Sequence, residues 1–117
     1  MKKRIHNTAF RQQMYDIMIM AWYIHRVTGE DFPVCLQRSW QCYKLRQAML
    51  SRIVRFTYIK KTTGERRNAL GTLDPHRYTY EAVGGRDNKP FDCIRYWDCE
   101  VQGWRMFKVF NLIQATI

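Results

Sequence analysis

Two stretches decide the fold: Arg52-Ile53-Val54-Arg55-Phe56-Thr57-Tyr58-Ile59-Lys60, and Ile94-Arg95-Tyr96-Trp97-Asp98-Cys99-Glu100-Val101-Gln102-Gly103-Trp104-Arg105-Met106-Phe107-Lys108-Val109-Phe110-Asn111-Leu112-Ile113. Both alternate apolar and polar side chains, the period of a strand with one buried face. In the first, Val54, Phe56 and Tyr58 point one way, and Arg55, Thr57 and Ile59 the other. Thr63-Gly64 supplies turn chemistry after it, and Gly103 falls between the two strands of a final hairpin.

Working outward, the return strand runs from about Glu65 to Leu73, with Gly71 marking a bulge or a close backbone approach. A long polar loop, Asp74 to Pro90, carries Arg77, Tyr78, Tyr80, Arg86 and Lys89. Such a loop is a common seat of function, and equally a common place for a variable insertion. A third strand spans Phe91 to Val101 and a fourth Trp104 to Val109. Phe110-Asn111-Leu112 then forms a one-turn connector, and Ile113 to Ile117 a closing strand. This order is that of a small five-stranded antiparallel SH3-like β-barrel.

Residues before Arg52 form a helical attachment. Asn7 or Thr8 caps a helix that Gly29 stops after Thr28. Phe10, Met14, Ile17, Ala21 and Ile24 make one core stripe; Tyr15, Ile19, Trp22 and Arg26 make a second. The helix is therefore expected to pack on two sides; the competing reading is a Trp22/Tyr15/Arg26 platform for bases. Glu30-Asp31-Phe32-Pro33 ends it and starts another helix, to about Leu50. Phe32, Leu36, Trp40, Tyr43, Gln47 and Leu50 share one face, with Arg38, Gln41, Lys44 and Arg46 largely off it. The fold class is α+β. Residues 1–51 form a basic helical hairpin and residues 52–117 the barrel, in one compact domain of 117 residues.

Net charge is +10, unevenly spread: residues 1–61 hold 12 Lys+Arg against 3 acids, and residues 62–117 hold 8 against 7. Such asymmetry points to a polyanion, nucleic acid first, with an acidic protein surface as the alternative. Cys35, Cys42, Cys93 and Cys99 form no CxxC, and His6, His25 and His76 are scattered. Cys35 and Cys42 lie two helical turns apart, too far to bridge. No metal or cofactor is expected, and reduced thiols fit a cytoplasmic protein. The basic start lacks a cleavage site and the apolar run at Ile17–Trp22 is too short to span a bilayer, so neither secretion nor a membrane is expected.

No catalytic constellation is present: no GxSxG, HExxH or P-loop occurs, and a non-enzyme is expected. Asp98 and Glu100 sit two apart on a strand and would share a face, with Arg95 and Arg105 as ion-pair partners across the hairpin. Binding to nucleic acid would combine cations with aromatic platforms. The candidates are Arg55, Lys60, Lys61, Arg66 and Arg67 on the first hairpin, Arg86 in the long loop, and Trp97 and Trp104 on the last hairpin. Arg38 and Lys44 on the second helix would join them if that helix entered a groove. Core or cover is the competing role for Trp97 and Trp104. The four cations around one tight turn, Lys60, Lys61, Arg66 and Arg67, repel each other and gain from an anion.

Three runs carry a family resemblance: Val54-x-Phe56-x-Tyr58-x-Lys60-Lys61-x-x-Gly64-x-x-Arg67-x-Ala69-x-Gly71-Thr72, Tyr96-Trp97-Asp98-x-Glu100, and Gly103-Trp104-Arg105-x-Phe107-x-Val109-x-Asn111-Leu112-Ile113. They resemble the SH3-like-barrel-containing proteins of Bacteroidota and their phages, a family of unknown function. More distantly, Gly64, Arg67 and Arg105-x-Phe107 resemble the WYL domain, although a Trp-Tyr-Leu run is absent and Tyr96-Trp97-Asp98 takes a similar place. The WYL resemblance implies sensing of nucleic acid or a nucleotide. Two functions are thus expected in competition: a nucleic-acid-binding (DNA or RNA) accessory or regulatory protein of a phage or mobile element, and a protein-interaction module, adaptor or inhibitor, for an acidic partner.

Overall fold

The computed structural model describes residues 8–77 and 91–117; Tyr78, Tyr80, Arg86 and Lys89 of the long loop lie outside them. The elements are α1 (Thr8–Thr28), α2 (Phe32–Met49), β1 (Val54–Ile59), β2 (Arg66–Thr72), β3 (Cys93–Asp98), β4 (Gly103–Lys108) and β5 (Leu112–Thr116). One-turn 3-10 helices stand at Pro75–Arg77 and Val109–Asn111. Gly29 ends α1 as expected: at φ 76° its N–H donates to the His25 carbonyl at 2.9 Å, a left-handed cap that glycine adopts without steric cost. Asp31 stands at the N-cap of α2, with Pro33 in the first turn.

The helices differ from expectation in the faces they bury. α1 buries Ile17, Met20, Ala21 and Ile24, while Phe10, Tyr15, Ile19 and Trp22 are exposed. It packs on one side, because α2 and the Val109–Asn111 turn both meet that side. α2 buries Cys35, Ser39, Cys42, Leu45 and Met49, not the Phe32–Leu50 stripe, of which Gln47 and Leu50 are exposed and the rest half-buried. Small side chains let the neighbours come close. The Ser39 hydroxyl donates to the Ile17 carbonyl of α1 at 2.7 Å, and the Cys42 thiol donates to the Val109 carbonyl at 3.6 Å. Phe32 or Trp40 at those positions would hold the backbones apart.

The strands form one antiparallel sheet in the order β4-β3-β2-β1-β5. β2 and β3 pair only at Gly71↔Asp98 and Thr72↔Trp97, which lets the sheet fold over on itself. Gly71 is a close approach and not a bulge: a Cβ there would meet Cδ2 of Tyr96 at 2.5 Å. The register shift falls instead at Thr57/Tyr58, against β5. Among the described residues no ladder joins β4 to β5, so the expected barrel is open along one seam.

The last hairpin also differs. β3 stops at Asp98, whose Oδ1 accepts N–H groups from Glu100 at 2.9 Å and Val101 at 3.2 Å. That side-chain turn ends the strand three residues before the expected Val101. The left-handed residue is Gln102 at φ 60°, and Gly103 already belongs to β4. Asp98 is buried at the strand end and Glu100 is exposed in the turn, so the two carboxylates do not share a strand face.

Helices and sheet share one apolar core. Met20, Ile24, Cys35, Cys42, Leu45 and Met49 are continuous with Val54, Phe56, Tyr58, Ile94, Tyr96, Phe107 and Leu112. The junction is hydrogen-bonded: Leu73 N–H donates to the Met49 carbonyl at 2.8 Å, and the buried Thr72 hydroxyl lies 3.1 Å from it and 3.0 Å from the Arg52 carbonyl. None of the described helices is long and apolar enough to cross a membrane.

Candidate nucleic-acid interface

The inner face of the sheet is aromatic. Tyr58 stacks on Phe107 at 4.6 Å, and Phe56 meets Tyr96 edge-on at 4.9 Å. The Tyr58 and Tyr96 hydroxyls lie 2.8 Å apart, satisfying each other inside the core. Burial, then the hydrogen bond to Tyr58, pushes the Tyr96 pKa far up, so it stays a neutral phenol.

Register divides the cations of the first hairpin. Arg67 pairs with Tyr58 and Arg66 with Ile59, so these consecutive arginines face opposite ways. Arg67 turns inward and reaches the fully buried Asp98 at 3.0 Å; Arg105 approaches the same Oδ2 at 3.5 Å. Burial works to raise the Asp98 pKa. The bonds from Arg67 and from the Val101 and Glu100 N–H groups outweigh it and hold the carboxyl below its usual value. The hydrogen bond to Asp98 in turn raises the Arg67 pKa. Arg67 is therefore part of an interior ion pair, and Arg66 stands with Arg55 on the outer face, both exposed.

Lys60 and Lys61 take a third direction, into a cavity of about 610 Å³ between the end of β1 and the edge strand β4. The β1–β2 turn forms one wall and Trp104 to Lys108 of β4 the other. Because β4 is an edge strand, residues from both of its faces reach the cavity: Arg105 and Phe107 from the inner, Trp104, Met106 and Lys108 from the outer. Its charged lining is Lys60, Lys61, Arg105 and Lys108 against a single carboxylate, Asp92. Three of these cations already have acidic partners: Lys108 Nζ donates to Asp92 at 3.3 Å, Arg105 lies 3.5 Å from Asp98, and Lys60 Nζ lies 4.0 Å from Glu65. The two lysine pairs are partly exposed, and such pairs stabilise little and yield readily to a stronger anion.

Of the residues singled out from sequence, Lys60, Lys61 and Trp104 come together here. Trp104 is half-buried, with the Arg95 guanidinium 4.8 Å from its ring centre and Trp97 edge-on at 5.5 Å. Trp97 keeps only 9% of its surface and acts as cover for the hairpin. Arg38 is bound to Glu30 at 2.8 Å; Lys44 is exposed about 120° away around α2, so the two do not form one face. Arg86 lies outside the described residues. Sequence reasoning missed Tyr58 and Lys108 as cavity residues and saw Arg105 only as a partner for carboxylates. The available signal was Trp104-x-Met106-x-Lys108, one face of β4 that begins aromatic and ends cationic.

An open five-stranded sheet in this order, with a 3-10 turn before its last strand, defines a small barrel of the SH3-like class. The WYL_2 family model, described as an Sm-like SH3 β-barrel fold, matches residues 42–113, more than half of the chain. The chain belongs to this family, which agrees with the WYL resemblance carried by Gly64, Arg67, Arg105 and Phe107. No curated protein and no solved structure gives a significant match.

Proposed function

We propose that this protein binds single-stranded nucleic acid at the cavity between the β1–β2 turn and β4, mainly through phosphates. The setting we infer is that of an accessory or regulatory protein of a phage or mobile element, the setting that the sequence resemblance implies. The observation that carries the reading is the convergence of Lys60, Lys61, Arg105 and Lys108 on one cavity with a single opposing carboxylate. Side by side with them, Trp104 and the exposed Met106 offer apolar surface to a base.

The test is fluorescence anisotropy of labelled single-stranded DNA, single-stranded RNA and duplex DNA over a salt series. Three phosphate contacts, at Lys60, Lys61 and Lys108, give a log–log salt slope of about −2 on a single strand. The triple change Lys60→Ser, Lys61→Ser, Lys108→Ser should flatten that slope and lower affinity at least about tenfold. The pair Arg55→Ser, Arg66→Ser on the outer face should change it little. Binding that survives the triple change, or that the outer pair abolishes, refutes the cavity as the site.

A further inference from the structure

α1 is apolar on the side it turns to solvent as well as on the side it buries. Tyr15, Met18, Ile19 and Trp22 fall within about 100° of one another around the helix. They lie opposite the core-facing Ile17, Met20, Ala21 and Ile24 and are 62%, 39%, 36% and 50% exposed. Each of these residues keeps more than a third of its surface in solvent. Trp22 rests against Phe32 at 4.2 Å, which holds its ring in place without removing it from the surface. Amphipathic surface helices carry polar side chains on their outer face, and a contiguous apolar patch there marks an interaction site.

Charge identifies the occupant. Arg11 and Arg26, both exposed, continue the stripe one turn beyond each end. The acid of α1, Asp16, sits to one side and accepts a hydrogen bond from Gln12 at 2.9 Å. The surface is thus an apolar strip with a cation at either end, spanning about 22 Å of helix. We propose that it docks an acidic amphipathic helix of another protein, with apolar side chains against Tyr15, Met18, Ile19 and Trp22 and carboxylates at Arg11 and Arg26. A second copy fits worse: antiparallel pairing about Met18 and Ile19 sets Arg11 of each chain against Arg26 of the other, in a protein of net charge +10. The barrel cavity is lined from the sheet and its turns and this strip from α1, so the two surfaces share no residue.

The test uses the whole chain and three synthetic helical peptides of about 18 residues, long enough to cover the strip. One has leucines at the spacing of the strip and glutamates at both ends. The second has lysines at the ends, and the third has serines for the leucines. Titration calorimetry at low and physiological salt should show the glutamate-ended peptide binding at least about tenfold tighter than either companion. Tyr15→Ser with Ile19→Ser should remove at least about tenfold of that affinity, with the helical circular dichroism signal kept. Arg11→Glu with Arg26→Glu should reverse the preference toward the lysine-ended peptide. The cavity variant at Lys60, Lys61 and Lys108 should bind the peptide as the parent does. Equal binding of the glutamate- and lysine-ended peptides overturns the proposal, as does loss of binding in the cavity variant alone. So does light scattering that shows a dimer broken by the Tyr15/Ile19 change, which makes a second copy the occupant.

Discussion

Replacing Asp98 by alanine should destabilise the protein by about 3 kcal/mol. The carboxylate is fully buried and receives Arg67 at 3.0 Å, Arg105 at 3.5 Å and two backbone N–H groups at 2.9 and 3.2 Å. Breaking a buried pair by deleting one partner costs about 3–5 kcal/mol, because the other charge is left uncompensated. The lower end applies, since the Arg67 side chain keeps 20% exposure and Arg105 keeps 39%, so both can turn toward water. The turn amides of Glu100 and Val101 also belong to exposed residues and rehydrate at small cost. Equilibrium unfolding in urea measures the loss, with a midpoint lower by about 2 M for a chain of this size. Adding Arg67→Met to Asp98→Ala should recover part of the loss, because the stranded cation is then gone. The pH dependence has a definite sign. The folded Asp98 pKa lies below its ordinary value of 3.8, so its contribution is complete above that value and fades as pH falls through the folded pKa. Parent and Asp98→Ala should therefore differ by a constant amount from neutral pH to about pH 5 and converge in stronger acid. A loss under about 1 kcal/mol at neutral pH, or a difference that persists undiminished in strong acid, refutes the ion-pair account.

Three more predictions concern single positions. Gly71→Ala places a methyl group 2.5 Å from Tyr96 Cδ2 and 3.0 Å from Phe56 Cε1, both in packed rings, and should cost about 2 kcal/mol by thermal or urea unfolding. Gln102→Gly should stabilise by about 1 kcal/mol, since φ 60° strains glutamine and suits glycine; an unchanged or lowered melting temperature counts against that strain. Burial, partly offset by Arg46 and Arg38, pushes the Cys42 thiol up to about 12, so at neutral pH iodoacetamide should leave it unmodified in the native protein. Half-buried Cys99 should be alkylated first, and peptide mapping by mass spectrometry reads the order.

The strands were legible because alternation survives in them: Val54, Phe56 and Tyr58 are all buried and Arg55 between them is exposed. Gly29 and Gly64 were legible as punctuation, and both take positive φ. The buried face of α2 was not legible, because hydrophobic size favoured Phe32, Leu36, Trp40 and Tyr43, while close packing selected Cys35, Ser39 and Cys42. Small side chains carry little weight in a periodicity count, yet they set how near two backbones can come. The candidate site was half legible. Lys60 and Lys61 needed only the turn to be found. Separating Arg66 from Arg67 needed the register against β1, and bringing Lys108 to the same cavity needed the sheet to fold over at the short β2–β3 pairing.

The junction between α2 and the sheet bears on how the chain unfolds. The family match begins at Cys42, inside α2, yet Ile24 and Cys35 before that point share their core with Phe56 and Leu112 after it, and the Met49 carbonyl is engaged by Thr72 and Leu73. The segment that matches the family and the shared core therefore have different borders. Amides in the middle of α1 and α2 should exchange with solvent hydrogen only at the rate of global opening, together with those of β1. A fragment cut at the family boundary would lose half of α2 and all of α1, uncovering Leu45 and Met49, and should populate an expanded, aggregation-prone state instead of a smaller native barrel.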